Sequence, residues 1–328
     1  MRRRLTISVA AILVILALAW SGGWFWLARW ADRQATTTLQ ELSEQGVEVD
    51  CRDRGISGFP FALRLACGET AVAERSTNSK ANFTSLTGGA SVFAPTTARI
   101  SMSSPARLDS PELGTADMRW ADAALGVGLG VNGPRDVSFD TTNIEAELAI
   151  PALPVQRIVA QSAEGSLAPS ANGGTDVVVR FTDLGVSVGG AAMPLVSGTA
   201  AGELSVPPRA LLAGRAGMQA PVWARGIDVA LESGGAKFRV AGEIAVDAEG
   251  IIDGQMIVRV GGAESLPAVI AALPPAWQKF GNAVAGGLFA FGKAATLDGE
   301  PASELTVEIN RGNATIGPIE FSLPRVPL

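Results

Sequence analysis

The chain contains no histidine and no tyrosine, and it has only two cysteines, Cys51 and Cys67. Without imidazole there is no Ser-His-Asp or Cys-His machinery, no His-ligated zinc and no imidazole proton shuttle. Two cysteines are too few for a thiolate metal cluster. No metal and no cofactor is therefore expected. Positive charge is also short: 26 Lys and Arg stand against 32 Asp and Glu, with no basic cluster beyond the N-terminus. Nucleic acid is accordingly not an expected partner. Acid–base work by a carboxylate pair survives, since Asp and Glu are plentiful. No spacing among them marks a site, and an enzyme is not the expectation.

What the chain does have, at its start, is a long stretch without charge. Arg2-Arg3-Arg4 is followed by an uncharged run from Leu5 to Ala28, which Arg29 ends. That run exceeds the roughly 20 residues needed to cross a bilayer's hydrocarbon core. Three arginines before it place the N-terminus in the cytoplasm and the bulk of the chain beyond the inner membrane, in the periplasm. Trp20, Trp24, Trp26 and Trp30 crowd the distal end, where amphipathic indoles favour the headgroup layer. The alternative is a cleaved signal peptide, for which Ala17-Leu18-Ala19 supplies a small-x-small site. Against it, the apolar run continues through Trp24-Phe25-Trp26-Leu27. The expected division is an anchor over 1–28, a stalk helix over 29–46 ended by Gly46, and a β domain over 47–328.

From Val47 the hydrophobic period switches from 3.6 to 2. Ile227–Glu232 alternates without error, and Phe238, Val240, Ile244 and Val246 share a face opposite Lys237, Arg239, Glu243 and Asp247. Met256, Val258 and Val260 repeat the pattern, as do Leu305, Val307 and Ile309. One apolar and one charged face predicts antiparallel sheet. A helical segment over 263–293 interrupts it, broken by Pro274-Pro275. Within it Trp277, Phe280, Val284, Leu288 and Phe291 step at helical spacing, giving an apolar face expected to cover the sheet or its end. The fold class is mainly β (α+β): one transmembrane helix and stalk, then a large curved antiparallel sheet with late covering helices.

Two local features carry site expectations. Cys51 and Cys67 bracket a Gly/Ser/Pro-rich centre that reads as a hairpin about Phe59, which would set the cysteines opposite each other for a structural disulfide. Two free buried thiols are the alternative; the spacing is not that of a C-x-x-C redox pair. In Leu125–Val131, Gly126, Gly128 and Gly130 alternate with aliphatics, leaving one strand face bare for a close neighbour. Another part of the protein or an acyl chain would fit there.

The basic N-terminus, the aromatic-rich anchor, the Gly58-Phe59-Pro60-Phe61 element between cysteines and the closing Gly317-Pro318 segment with its Leu-Pro ending resemble a proteobacterial envelope family called domain of unknown function 2125. The resemblance spans essentially the whole chain and implies no activity and no catalytic residues. In anchor plus amphipathic sheet, the chain is also similar to AsmA-type envelope proteins, a likeness that implies lipid traffic between membranes.

The leading expectation is a non-enzymatic envelope protein that binds lipid or another hydrophobic ligand on an apolar sheet face. Gly126, Gly128, Gly130, Trp277, Phe280, Val284, Leu288 and Phe291 are the candidate ligand-binding residues. The alternative is a scaffold or assembly protein whose partner is another envelope protein. A carboxylate-based hydrolase is the third reading.

Overall fold

The computed structural model describes residues 2–44, 46–111, 114–130, 133–149, 155–188, 191–212, 221–271, 273, 275–323 and 325. Antiparallel strands dominate, with few helices. Contacts divide the chain into two compact units, Met1–Thr115 and Ala116–Leu328, where the pattern of the sequence suggested one β domain over 47–328.

The first unit opens with α1 (Arg2–Glu44), a single helix over both the segment expected to be the anchor and the one expected to be the stalk. It stops at Gly46, whose φ of 92° an L side chain rarely tolerates, and whose N–H donates to the Ser43 carbonyl. Among the described residues no helix is long and apolar enough to cross a membrane. The side chains of residues 2–11 and of Leu13, which include the first part of the Leu5–Ala28 run, lie outside them.

Six strands follow: β1 (Val47–Cys51), β2 (Gly55–Ser57), β3 (Ala62–Cys67), β4 (Thr70–Glu74), β5 (Ser79–Ser91) and β6 (Ala94–Ser110). The long β5 organises them. One of its edges pairs β4 with its first half and β3 with its second, and its other edge takes β6. β1 lies outside β4, and β2 outside β3. Apolar rows cross these ladders, Val49–Val72–Ala81–Leu108 and Ile56–Leu65–Gly88–Ile100.

The disulfide joins Cys51 and Cys67, with Cα atoms 5.2 Å apart. The expected hairpin is not what sets it. Cys51 lies opposite Thr70 on β4, and the hairpin partner of β3 is β2, with Ile56 opposite Leu65. The reason is the Arg52-Asp53-Arg54 turn, where Asp53 adopts a φ of 50° and separates β1 from β2. Arg52 then pairs with the connection after Cys67: its N–H donates to the Glu69 carbonyl and its carbonyl accepts from Gly68. The bond thus ties the ends of β1 and β3.

β7 (Gly114–Arg119) leads into the second unit, a meander of β8 (Asp122–Gly130), β9 (Gly133–Ala149), β10 (Val155–Pro169), β11 (Thr175–Val188), β12 (Ala191–Ala192) and β13 (Val196–Leu204). After α2 (Pro208–Leu212) it continues through β14 (Val222–Ser233), β15 (Ala236–Val246) and β16 (Ile252–Gly261). Then come α3 (Leu266–Ala271), α4 (Pro275–Phe291), β17 (Lys293–Leu297), β18 (Glu300–Asn310), β19 (Asn313–Ile316) and β20 (Ile319–Ser322). Pro275 starts α4, where its missing N–H costs nothing. The helical segment ends at Phe291, and Lys293 already belongs to a strand.

The bond acts mainly on unfolded-chain entropy, so Cys51→Ser should destabilise the fold by about 2–4 kcal/mol. Alkylation of the native protein before reduction should label neither cysteine. Labelling of both would show that the bridge does not form.

Candidate functional site

Directly opposed residues of an antiparallel ladder point to the same face. In the second unit this builds two apolar rows, each crossing nine strands. One is Leu125–Phe139–Gly165–Val179–Ala200–Val229–Val240–Val258–Leu305. The other is Ala123–Thr141–Ala163–Phe181–Gly198–Leu231–Phe238–Val260–Ser303. Aromatic rings roof the glycines of these rows: Phe139 lies over Gly165, and Phe181 with Leu231 over Gly198, where a Cβ would collide with them.

Among the described residues α3 and α4 cover one end of this face, and the five-residue α2 packs against β9 and β10. Leu266 of α3 and Leu288 of α4 join Ala236, Val260 and Leu305 in a buried cluster, flanked by Phe238, Val258, Val269 and Ile316. Toward β8–β11, beyond the reach of α3 and α4, the same face is more open among the described residues. Leu125, Val127, Val137, Leu167, Val177 and Phe181 are half-buried, and Phe139 is 39% exposed. A cavity of about 310 Å³ draws on both faces of the sheet: Phe181, Leu231 and Phe238 line it together with Arg180, Glu232, Lys237 and Arg239, which alternate to the other side. That volume lies at the small end of ligand sites.

The opposite face is charged and paired. Arg180 bonds Glu164, Arg157 bonds Glu145, and Arg259 bonds Glu304 at 2.7 Å. Arg239 grips Asp228 in bidentate fashion, Nε to Oδ1 at 2.8 Å and Nη2 to Oδ2 at 2.6 Å. That hydrogen bonding holds the Asp228 carboxyl below its usual range despite some desolvation. Lys237 is raised, first by its hydrogen bond to Glu300 at 3.0 Å.

The sequence-derived ligand residues do not all fall on one surface. Leu288 is buried against the apolar face, whereas Phe291 is 40% exposed. The side chains of Trp277, Phe280 and Val284 lie outside the described residues. Gly126 and Gly128 sit opposite Ser138 and Asp136, on the polar side of the sheet, away from α4. Their face is not bare: the Ser138 hydroxyl and the Asp136 carboxylate fold over them, where a Cβ would meet both. Gly130 pairs with Gly133 at the exposed strand end. Cross-strand polar side chains occupy the space beside Gly126 and Gly128. The residues missed were Phe139, Phe181 and Phe238. Their signal is the alternation of β9, β11 and β15, but which glycines they cover depends on pairing.

The first unit holds a second constellation, built on α1. Trp20 donates its indole N–H to the Pro60 carbonyl at 3.1 Å, and Trp24 donates to the Ala62 carbonyl at 2.9 Å. Phe59 packs edge-on against Trp24 and stacks on Phe25, at 5.5 and 5.9 Å between centroids. Gly58, with φ 103°, makes the turn; a Cβ there would strike the Ala62 carbonyl. Arg54 secures the stalk above through Asp32 (3.0 Å) and Thr36 (3.1 Å). An apolar groove of about 390 Å³ runs along α1, lined by Leu16, Ala19, Trp20, Gly23, Trp24 and Leu27.

A family model described as "Uncharacterized protein conserved in bacteria (DUF2125)" matches residues 24–322. The chain belongs to this family. The DUF2125 match begins at Trp24, the indole that holds the Gly-Phe-Pro-Phe turn, and takes in both units. Neither a curated protein nor a solved structure matches the chain.

Because the folded pKa of Asp228 lies below its unfolded value, its contribution to stability is complete above the ordinary carboxylate range. It is lost as pH falls through that range toward the folded value. The Tm difference between wild type and Asp228→Asn should therefore be largest near about pH 7 and shrink as pH falls below the ordinary aspartate value of about 3.9. A pH-independent difference would show that the pair does not act through ionisation.

Proposed function

We propose that this DUF2125 protein is a membrane-anchored, non-enzymatic envelope protein that binds lipid or another hydrophobic ligand on the apolar face of its second unit. The anchor is the uncharged Leu5–Ala28 run, with the N-terminus cytoplasmic and the two units periplasmic. The Cys51–Cys67 disulfide suits an oxidising compartment.

The observation that carries the ligand reading is the mismatch between sheet and cover. Apolar rows run across nine strands, yet α3 and α4 bury only the β15–β18 end. An extended apolar surface left half-exposed favours occupancy by something apolar. The charged face supports a non-enzymatic role, since Glu145, Glu164, Asp228 and Glu304 are each engaged by an arginine.

Photo-crosslinking in cells tests the ligand reading. Benzoylphenylalanine in place of Phe139 should yield lipid adducts on the full chain, and the same probe in place of Ser138, on the opposite face of β9, should not. A single protein adduct at Phe139 would replace the ligand reading by that of an assembly protein. Topology has its own check: a reporter active only outside the cytoplasm, fused after Leu328, should be active, and mature protein should retain residues 1–28. Mature protein beginning at Trp20 would remove the anchor.

A further inference from the structure

We infer that the first unit is seated in the bilayer at two further points besides α1: the Phe59-Pro60-Phe61 turn and the Phe93 tip of the β5–β6 hairpin enter the leaflet at the periplasmic end of the anchor. The inference rests on the reading of α1 as a membrane-spanning helix, and it adds a lipid-contacting surface made of sheet.

The depth follows from helix geometry. Trp20 and Trp24 lie eight and four residues before Ala28, the end of the uncharged run. At 1.5 Å per residue they stand about 12 and 6 Å inside that end. Their indole N–H groups hold the carbonyls of Pro60 and Ala62. Wherever the helix places those indoles, the turn goes with them. The pairing also gives each indole N–H an acceptor, which hydrocarbon cannot supply.

The hairpin tip is tied to the same level. The Val92 N–H donates to the Phe61 carbonyl at 3.0 Å, and the Phe61 and Phe93 rings stack with centroids 5.8 Å apart. Both rings face outward, Phe61 57% and Phe93 79% exposed. Composition agrees with immersion. No charge occurs from Gly55 to Leu63 or from Ala81 to Ala98. The first charges above the tips are arginines: Arg64 and Arg99 flank Gly89 in one cross-strand row, and both are exposed. That puts positive charge where lipid phosphates lie, with aromatics beneath, the usual order at a membrane interface.

The occupant is a phospholipid bilayer, since the surface continues the lateral surface of the anchor itself. Trp26, Phe25 and Trp30 of α1 are exposed at the same end. A protein partner would need the anchor's own lipid-facing residues as part of its interface.

The test uses the full chain in vesicles of phosphatidylethanolamine and phosphatidylglycerol. Phe61→Cys, Phe93→Cys, Leu18→Cys and Ser76→Cys would each carry an environment-sensitive dye, with Cys51 and Cys67 protected by their disulfide. Ser76 lies in the turn at the other end of β5, about 40 Å from Phe93 at strand rise. Lipids bearing a quencher on the acyl chain should quench the dyes at Phe61 and Phe93 about as strongly as at Leu18, and leave Ser76 unaffected. Quenching at Leu18 without quenching at Phe61 and Phe93 would overturn the seated sheet and leave the anchor standing. No quenching at Leu18 would overturn both. Quenching of all four equally, Ser76 included, would indicate non-specific adsorption and also overturn it.

Discussion

Register is the constraint on which the second unit depends. Side chains alternate with period two, so a slip of one residue at any ladder would carry Phe139, Val179 and Val240 to the charged side. Two sets of interactions hold the alignment. On one face apolar contacts form continuous rows; on the other, Glu164–Arg180, Asp228–Arg239 and Arg259–Glu304 clasp adjacent strands. Exposed pairs of this kind add little stability individually. Their value lies in opposing the slipped registers, which would bury arginine and carboxylate on the apolar side.

The first unit meets a different problem, that of fixing a small sheet to one helix. α1 contributes indoles with a polar tip and an apolar body, so each ties down a carbonyl while packing against Phe59 or Phe25. The disulfide closes the other end of the same short strands. Between them the Gly58–Ala62 turn has little freedom, which explains why a small element holds its aromatic side chains in a defined direction. Where the second unit offers an apolar face, the first offers aromatic tips.

Much of this architecture was legible in the residues. The strands around Ile227–Glu232, Phe238–Val246 and Leu305–Ile309, the stop at Gly46 and the break before Pro275 all follow from local pattern; the cysteine bridge was expected, but through a pairing the structure does not have. β5 and β6 were harder to read, because seryl hydroxyls blur the hydrophobic period. Ser79 and Ser110 satisfy each other at 2.9 Å, and Ser85 and Ser103 at 2.8 Å, so polar side chains are accommodated in pairs. The glycines at 126 and 128 misled for a related reason. A bare strand face is filled by its cross-strand neighbours, and their identity follows from pairing.

By itself, then, the sequence determined period, charge and punctuation: which segments extend, which face of each strand is apolar, where the uncharged run lies, and which chemistries lack their side chains. These are properties of neighbours along the chain. Tertiary structure decided which strand lies beside which. It set Cys51 opposite Thr70, brought Trp24 to Ala62, laid Phe139 over Gly165, and put the apolar rows of β8–β11 beyond the reach of α3 and α4. Such contacts join residues distant in sequence, and antiparallel backbone hydrogen bonds accept almost any side chain at a given position, so only the packed fold selects among them.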